Sequence, residues 1–357
     1  MRIGAWIDGP HPRKGSVDKW AASIRAAGIT VARIVTNAGV KPYHLPRWRP
    51  ELLGQAVKAL QALDVEVWLM VWPIATAKGV EELVASLPGL LAHATPTGIE
   101  FDAEGNHNNI GWGRNGLELS IKLARLLKDE PTTRNLKMGV TAIPPVKGVR
   151  AQDRALMRAL TDAGYHVTGA PQAYSQYQSK RDKNGQPKSH WSWNAMFRPG
   201  PIQRHSADQW LGLLDEGLIA DIHFGLMAGF QNHPKPSPTG REALEVALST
   251  AASSCGDRVD TFVYWSWKAI KGRKSTISFL RHASGDSAYT LAPTPRRLPV
   301  AELQARLVAL GYQLGRVDGK AGPRTLAALG AYRDDASFAP VEWADPSIEQ
   351  LAAEAGL

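Results

Sequence analysis

Eight short apolar runs, rich in β-branched residues, alternate with segments of helical periodicity from Arg2 to Trp267. Few folds bury both kinds of surface in that order. The expected strands are Arg2–Asp8, Thr30–Thr36, Val65–Trp72, Thr97–Gly105, Lys137–Ala142, Val167–Tyr174, Asp221–Met227 and Asp260–Trp267. The expected helices are Ser16–Ala27 with Ser16 as N-cap, Arg49–Leu63, Val80–Leu91, Gly116–Lys128, Ala151–Ala163, Ala207–Glu216 and Arg241–Ser253. Eight strands alternating with helices imply an α/β chain folded as a (β/α)8 TIM barrel. A doubly wound open sheet is the structural alternative. It carries a glycine fingerprint after its first strand, and Asp8-Gly9-Pro10-His11-Pro12 has none.

The alternation breaks twice. Ser175 to Arg204 is an insertion, whose charged, glycine-containing part Lys180 to Lys188 is expected to be an exposed loop. Ser284 to Pro299 is rich in Pro, Ser and Arg and reads as a linker. The division expected is a barrel over 1–284, a linker over 285–298 and a small all-α, three-helix domain over 299–357.

The fourth strand carries the chemistry. Glu100, Asp102 and Glu104 share one face of it, because side chains alternate along a strand; Ile99, Phe101 and Ala103 share the other. Three carboxylates on one buried face are costly and raise one another's pKa. An acidic surface strand is the plain structural reading. A catalytic acid site at the mouth of a barrel is the functional one.

In such barrels the site lies at the carboxyl ends of the strands. Asp8 ends the first strand, Asp102 and Glu104 the fourth, Gln172 and Tyr174 the sixth, and Trp265 and Trp267 the eighth. Acids surrounded by aromatic faces make a carbohydrate-site composition. The insertion adds Trp191 and Trp193 on one side of an extended segment, read either as packing on the barrel or as a groove wall for a glycan. Asn106, His107 and Asn108 follow the acids closely enough to line a cleft.

Gly98-Ile99-Glu100-Phe101-Asp102-Ala103-Glu104 resembles the fourth-strand signature of glycoside hydrolase family 18, Asp-x-x-Asp-x-Asp-x-Glu, with Thr97 and Glu100 in place of its first two Asp residues. Gln172-Ala173-Tyr174 resembles the sixth-strand motif of that family, and Trp265 its eighth-strand tryptophan. Asp102, Glu104 and Asp8 also resemble the acid set of family 25, the muramidases. Either resemblance implies acid/base cleavage of a glycan. Glu104 would protonate the glycosidic oxygen, with its pKa raised by Asp102 and partial burial. In the family 18 type the substrate's own 2-acetamido oxygen attacks the anomeric carbon. Asp102 would orient and charge-stabilise that acetamide, and Tyr174 would hydrogen-bond it. Asp8 is implied as an acetamide-side carboxylate. Glu100 lies deeper and would tune charge rather than react.

The tail carries a second resemblance. Leu303, Leu307 and Leu310 form an apolar helical stripe ending at Gly311 and Tyr312. Asp318-Gly319 and Gly322-Pro323 are turns, and a helix follows near Thr325. The pattern resembles the peptidoglycan-binding type 1 domain, with Ala321 where an aromatic residue is usual and Tyr332-Arg333 where Phe-Gln is frequent. That implies wall contacts at Tyr312, Asp318 and Arg324.

Composition narrows the class. A formal net charge of +9 favours polyanionic partners such as a bacterial envelope. The single cysteine, Cys255, excludes an intramolecular disulfide. No histidine spacing suits a metal site, and neither a cofactor loop nor a nucleic-acid motif occurs. The Met1–Asp8 segment reads as a core strand rather than a signal peptide, and no apolar run reaches membrane-spanning length. The expectation is a monomeric peptidoglycan hydrolase resembling a phage endolysin, with bacterial peptidoglycan as partner, no cofactor, no nucleic acid and no membrane insertion. It would be made in a host cytoplasm and reach the wall through a holin. A muramidase is favoured; an endo-N-acetylglucosaminidase, a chitinase-like hydrolase and a non-catalytic glycan-binding wall protein are the alternatives.

Overall fold

The computed structural model describes all residues except 9–11, 13–14, 37–47, 103–114, 143–148, 175–176, 182–186, 192–198, 229–237, 272, 286–298, 310–311, 313, 315–316, 318–319, 339–347, 349–350 and 353–357. Strands and helices alternate as β1 (Arg2–Ile7), α1 (Val17–Arg25), β2 (Val31–Val35), α2 (Pro50–Gln61), β3 (Glu66–Val71) and α3 (Ala77–Leu91). The series continues with β4 (Gly98–Asp102), α4 (Gly116–Asp129), β5 (Lys137–Ala142), α5 (Ala151–Asp162) and β6 (Val167–Pro171). Then come β7 (Tyr177–Arg181), β8 (Pro187–Trp191), α6 (Pro201–Asp215), β9 (Asp221–Met227), α7 (Pro238–Cys255), β10 (Thr261–Trp265), α8 (Trp267–Ile270) and α9 (Lys274–Ala283). Helices α10 (Pro299–Ala309) and α11 (Pro323–Phe338) follow.

Eight strands close a barrel in the order β1-β10-β9-β6-β5-β4-β3-β2. Every neighbouring pair is parallel. This is the (β/α)8 TIM barrel that the alternation implies.

The barrel interior holds residues that the apolar pattern hides. Trp6, Arg33 and Trp68 lie side by side across β1, β2 and β3. Bulk of that size fits because strands beside it carry glycine. A Cβ on Gly98 would lie 2.5 Å from the Trp68 ring, and one on Gly225 would lie 2.9 Å from the Trp6 ring. A Cβ on Gly139 would stand 3.2 Å from that of Glu100. Interiors are packed to near-crystalline density, so these missing side chains are what admit two indoles and a guanidinium.

Several local expectations are corrected. Lys180 and Lys188, expected in an exposed loop, pair with each other in the antiparallel β7–β8 hairpin. Helix α3 starts at Ala77 rather than Val80, because Thr76 accepts a hydrogen bond from the Gly79 N–H at 3.0 Å and caps it. Helix α6 begins at Pro201 rather than Ala207, and α9 was not expected. The sixth and eighth strands end at Pro171 and Trp265, short of Tyr174 and Trp267. Ser16 does occupy the N-cap position of α1, without a side-chain capping bond.

The chain divides into two compact units, Met1–Ala173 with Ser206–Ala228 and Cys255–Ser287, and Tyr174–His205 with Gly229–Ser254 and Ala288–Leu357. The first contains the barrel strands. The second contains the β7–β8 hairpin and the C-terminal helices. There α10 and α11 enclose a core of Leu303, Leu307, Leu314, Ala328, Leu329 and Tyr332, joined by Ile348, Leu351 and Ala352. Ile348, Leu351 and Ala352 therefore complete this small core. The Gln304 amide donates to Lys320 O at 3.0 Å and to Thr325 Oγ1 at 2.9 Å, which ties the α10–α11 connection down. Among the described residues no helix is long and apolar enough to cross a membrane.

Candidate active site

Strand β4 sets the site. Its five residues are all buried, and Glu100 and Asp102 share its inward face. Residues at i and i+2 lie about 6.6–6.8 Å apart along a strand. Their surroundings differ sharply. Glu100 is 0% exposed. It forms an ion pair with Arg33, and its Oε1 accepts from the Trp6 indole N–H at 2.7 Å. Asp102 is 6% exposed at the carboxyl end of the strand, where barrel sites open.

Beneath Asp102 the core is charged and aromatic. The Arg33 guanidinium lies 5.5 Å from the Trp6 ring centre and 5.2 Å from that of Trp68. Its Nη2 donates to His223 Nδ1 at 2.7 Å. A guanidinium only donates, so His223 carries its proton on Nε2. Burial, reinforced by the Arg33 charge, holds the His223 pKa well below the usual imidazole value, so the ring is neutral. The His223 ring meets that of Trp68 edge-on, with centres 5.6 Å apart. The net result is one buried cation, one buried anion and a neutral acceptor, a balance that a low-dielectric interior requires.

The other expected residues fall as follows. Asp8 follows β1, half-buried, and its Oδ1 accepts from the Lys268 backbone N–H at 3.3 Å. Gln172 is buried just past β6 and bridges to Gly225 of β9. Trp265 ends β10, half-buried, with its ring centre 6.0 Å from that of Trp6. Trp267 is only 2% exposed at the start of α8, so its indole packs the core and has no face left for a sugar. Full burial likewise keeps Glu100 from touching a ligand directly. Tyr174 is half-buried and belongs to the second unit. Trp191 ends β8, opposite Tyr177. In the small core the Tyr312 ring meets that of Tyr332 edge-on at 6.1 Å, and Arg324 is exposed in the first turn of α11. Glu104, Trp193, Asp318 and Asn106 to Asn108 lie outside the described residues. No group of three or more potential metal ligands occurs among the described residues.

The barrel thus brings Asp8, Asp102, Gln172 and Trp265 to its carboxyl end. Arg33, His223, Trp6 and Trp68 were not expected at the site. The available signal was Arg33, a lone charge in the otherwise apolar β2 sequence Val-Ala-Arg-Ile-Val.

No protein-family model matches the chain, and no curated protein matches it. Solved structures do. The chain is similar to the hyperthermostable endo-1,4-β-D-mannanase from Thermotoga petrophila RKU-1, at 10% identity and a TM-score of 0.50, over 80% of this chain and 99% of that one. A family 18 chitinase from Pseudoalteromonas aurantia matches at 9% identity and a TM-score of 0.49, over 80% of this chain and 100% of that one. A xylanase and α-amylase inhibitor protein from Scadoxus multiflorus matches at 12% identity and a TM-score of 0.48, over 82% of this chain and 99% of that one. The mannanase likeness supports the barrel fold.

Proposed function

We propose that the barrel is a glycoside hydrolase that cuts the glycan strand of bacterial peptidoglycan, with muramidase specificity favoured. The observation that carries the reading is Asp102. It stands at the carboxyl end of β4 on the inward face, directly above an acid that Arg33 and Trp6 already hold, and the chain continues Ala103-Glu104.

Glu104 is the proton donor to the glycosidic oxygen, and Asp102 stabilises the positive charge that develops as the sugar's acetamide oxygen attacks the anomeric carbon. Asp8 adds a second carboxylate at the same end of the barrel. Trp265 offers a ring on which a sugar face stacks. The resemblance assigns Tyr174 a hydrogen bond to the acetamide. The α10–α11 unit is the wall-binding module, using Tyr312, Asp318 and Arg324. The enzyme needs no cofactor and acts as a monomer on the wall after release from the cytoplasm.

Mass spectrometry of purified sacculi after digestion tests this, run beside a Glu104→Gln protein. New reducing ends at N-acetylmuramic acid, absent with the variant, are expected. Reducing ends at N-acetylglucosamine would move the specificity to the neighbouring bond. Intact glycan, with or without cut peptides, would overturn the reading.

A further inference from the structure

The rim beside Trp265 carries a run of cations. Between Asp260 and Asp286 the chain contains no acid, while Lys268, Lys271, Arg273 and Lys274 fall within seven residues. Lys268, Lys271 and Lys274 are exposed and Arg273 is half-buried. None of the four makes an ion pair among the described residues.

The place of this run is fixed. It starts in α8, three residues beyond the carboxyl end of β10, and the Lys268 N–H to Asp8 Oδ1 bond holds its first residue to the end of β1. It therefore stands on the same end of the barrel as Asp102 and next to Trp265. Four like charges within seven residues repel one another, and a bound anion relieves that repulsion. A neutral glycan such as chitin offers nothing to do so.

We infer that Lys268, Lys271, Arg273 and Lys274 form an anion subsite that takes negatively charged groups carried on the glycan. Resting on the proposed glycosidase reading, this deepens it: the substrate is an anionic glycan. Carboxylates of the lactyl and stem-peptide groups are one source of the charge, and phosphodiesters of wall polymers are the other.

Site-resolved lysine methylation, read by peptide mass spectrometry on full-length Glu104→Gln protein, tests this. The probes are soluble peptidoglycan strands, the same strands with carboxylates amidated, poly(glycerol phosphate) and chitin oligosaccharide. Protection of Lys268, Lys271 and Lys274 by the unmodified strands, but not by the amidated strands or chitin, is expected. Exposed ion pairs are worth about twofold to fivefold each, so Lys271→Gln/Lys274→Gln should weaken strand binding about fivefold or more. Protection by poly(glycerol phosphate) in place of strands would name phosphodiesters as the source and keep the subsite. Equal reactivity of the three lysines with and without every anionic probe would overturn it. The two readings fail separately. Strands cut by the wild-type protein with the lysines unprotected would remove the subsite alone, whereas anion protection without cleavage would remove the glycosidase alone.

Discussion

Trp6 of β1 and Glu100 of β4 meet across the barrel interior, the indole N–H donating to Oε1 at 2.7 Å. The two strands are separated around the wall by β2 and β3, so the bond spans the curved interior rather than a neighbouring pair. With the Arg33 pair it makes Glu100 a tie among three strands. Glu100→Leu leaves the Arg33 charge buried and should destabilise by about 3–5 kcal/mol in urea unfolding. Arg33→Met with Glu100→Leu should recover most of that loss. Equal losses in the single and double variants would show that the charge pair is not the cause.

His223 gives stability a pH dependence of known sign. Its folded-state pKa is depressed, chiefly by burial and next by Arg33. Above the unfolded value of about 6.5 both states hold it neutral, and it contributes no slope. As pH falls below that value the unfolded state takes up a proton that the folded state refuses. Stability therefore drops, by up to about 1.4 kcal/mol per pH unit, until the folded value is passed. Denaturant midpoints between pH 8 and pH 5 should show a shallower fall in His223→Gln, whose amide oxygen still accepts from Arg33.

The interior glycines should rank by clearance. A Cβ on Gly98 meets Lys137 O and the Trp68 ring at 2.5 Å, whereas one on Gly139 meets Glu100 at 3.2 Å. Gly98→Ala should cost about 1–3 kcal/mol or more by overpacking, and Gly139→Ala clearly less. Urea unfolding of the two variants checks the order.

Thr76 is the capping residue of α3. Thr76→Ala should lower stability by about 1 kcal/mol, and Thr76→Ser or Thr76→Asp should retain most of it. Thermal unfolding of the three variants decides.

The barrel was legible because buried parallel strands read as continuous apolar runs, and Lys137–Ala142 and Asp221–Met227 match the observed strands end for end. The same rule hid the core network. Arg33 and His223 are single polar residues inside runs of that kind, and only the tertiary register shows that they face Glu100 and each other. Thr76 was missed because its helix opens with Ala-Lys-Gly, which carries little apolar period. The β7–β8 hairpin was missed because Lys, Ser, Gln and Arg dominate its strands. Asp102 at the end of β4 was legible from alternation alone. The small helical core was legible in part: Leu303 and Leu307 announce its first helix, but the joining of Ile348, Leu351 and Ala352 depends on tertiary packing.

Release of reducing sugar from purified peptidoglycan by wild-type, Asp102→Asn and Glu104→Gln proteins, each confirmed as folded, tests whether the acids at the end of β4 carry out the cleavage. Cleavage by the wild-type protein is expected, with a loss of about a hundredfold or more in each variant, the scale of removing a charge-stabilising or proton-transferring group. Undiminished cleavage by Asp102→Asn and Glu104→Gln would contradict the assignment of the reaction to the carboxyl end of β4.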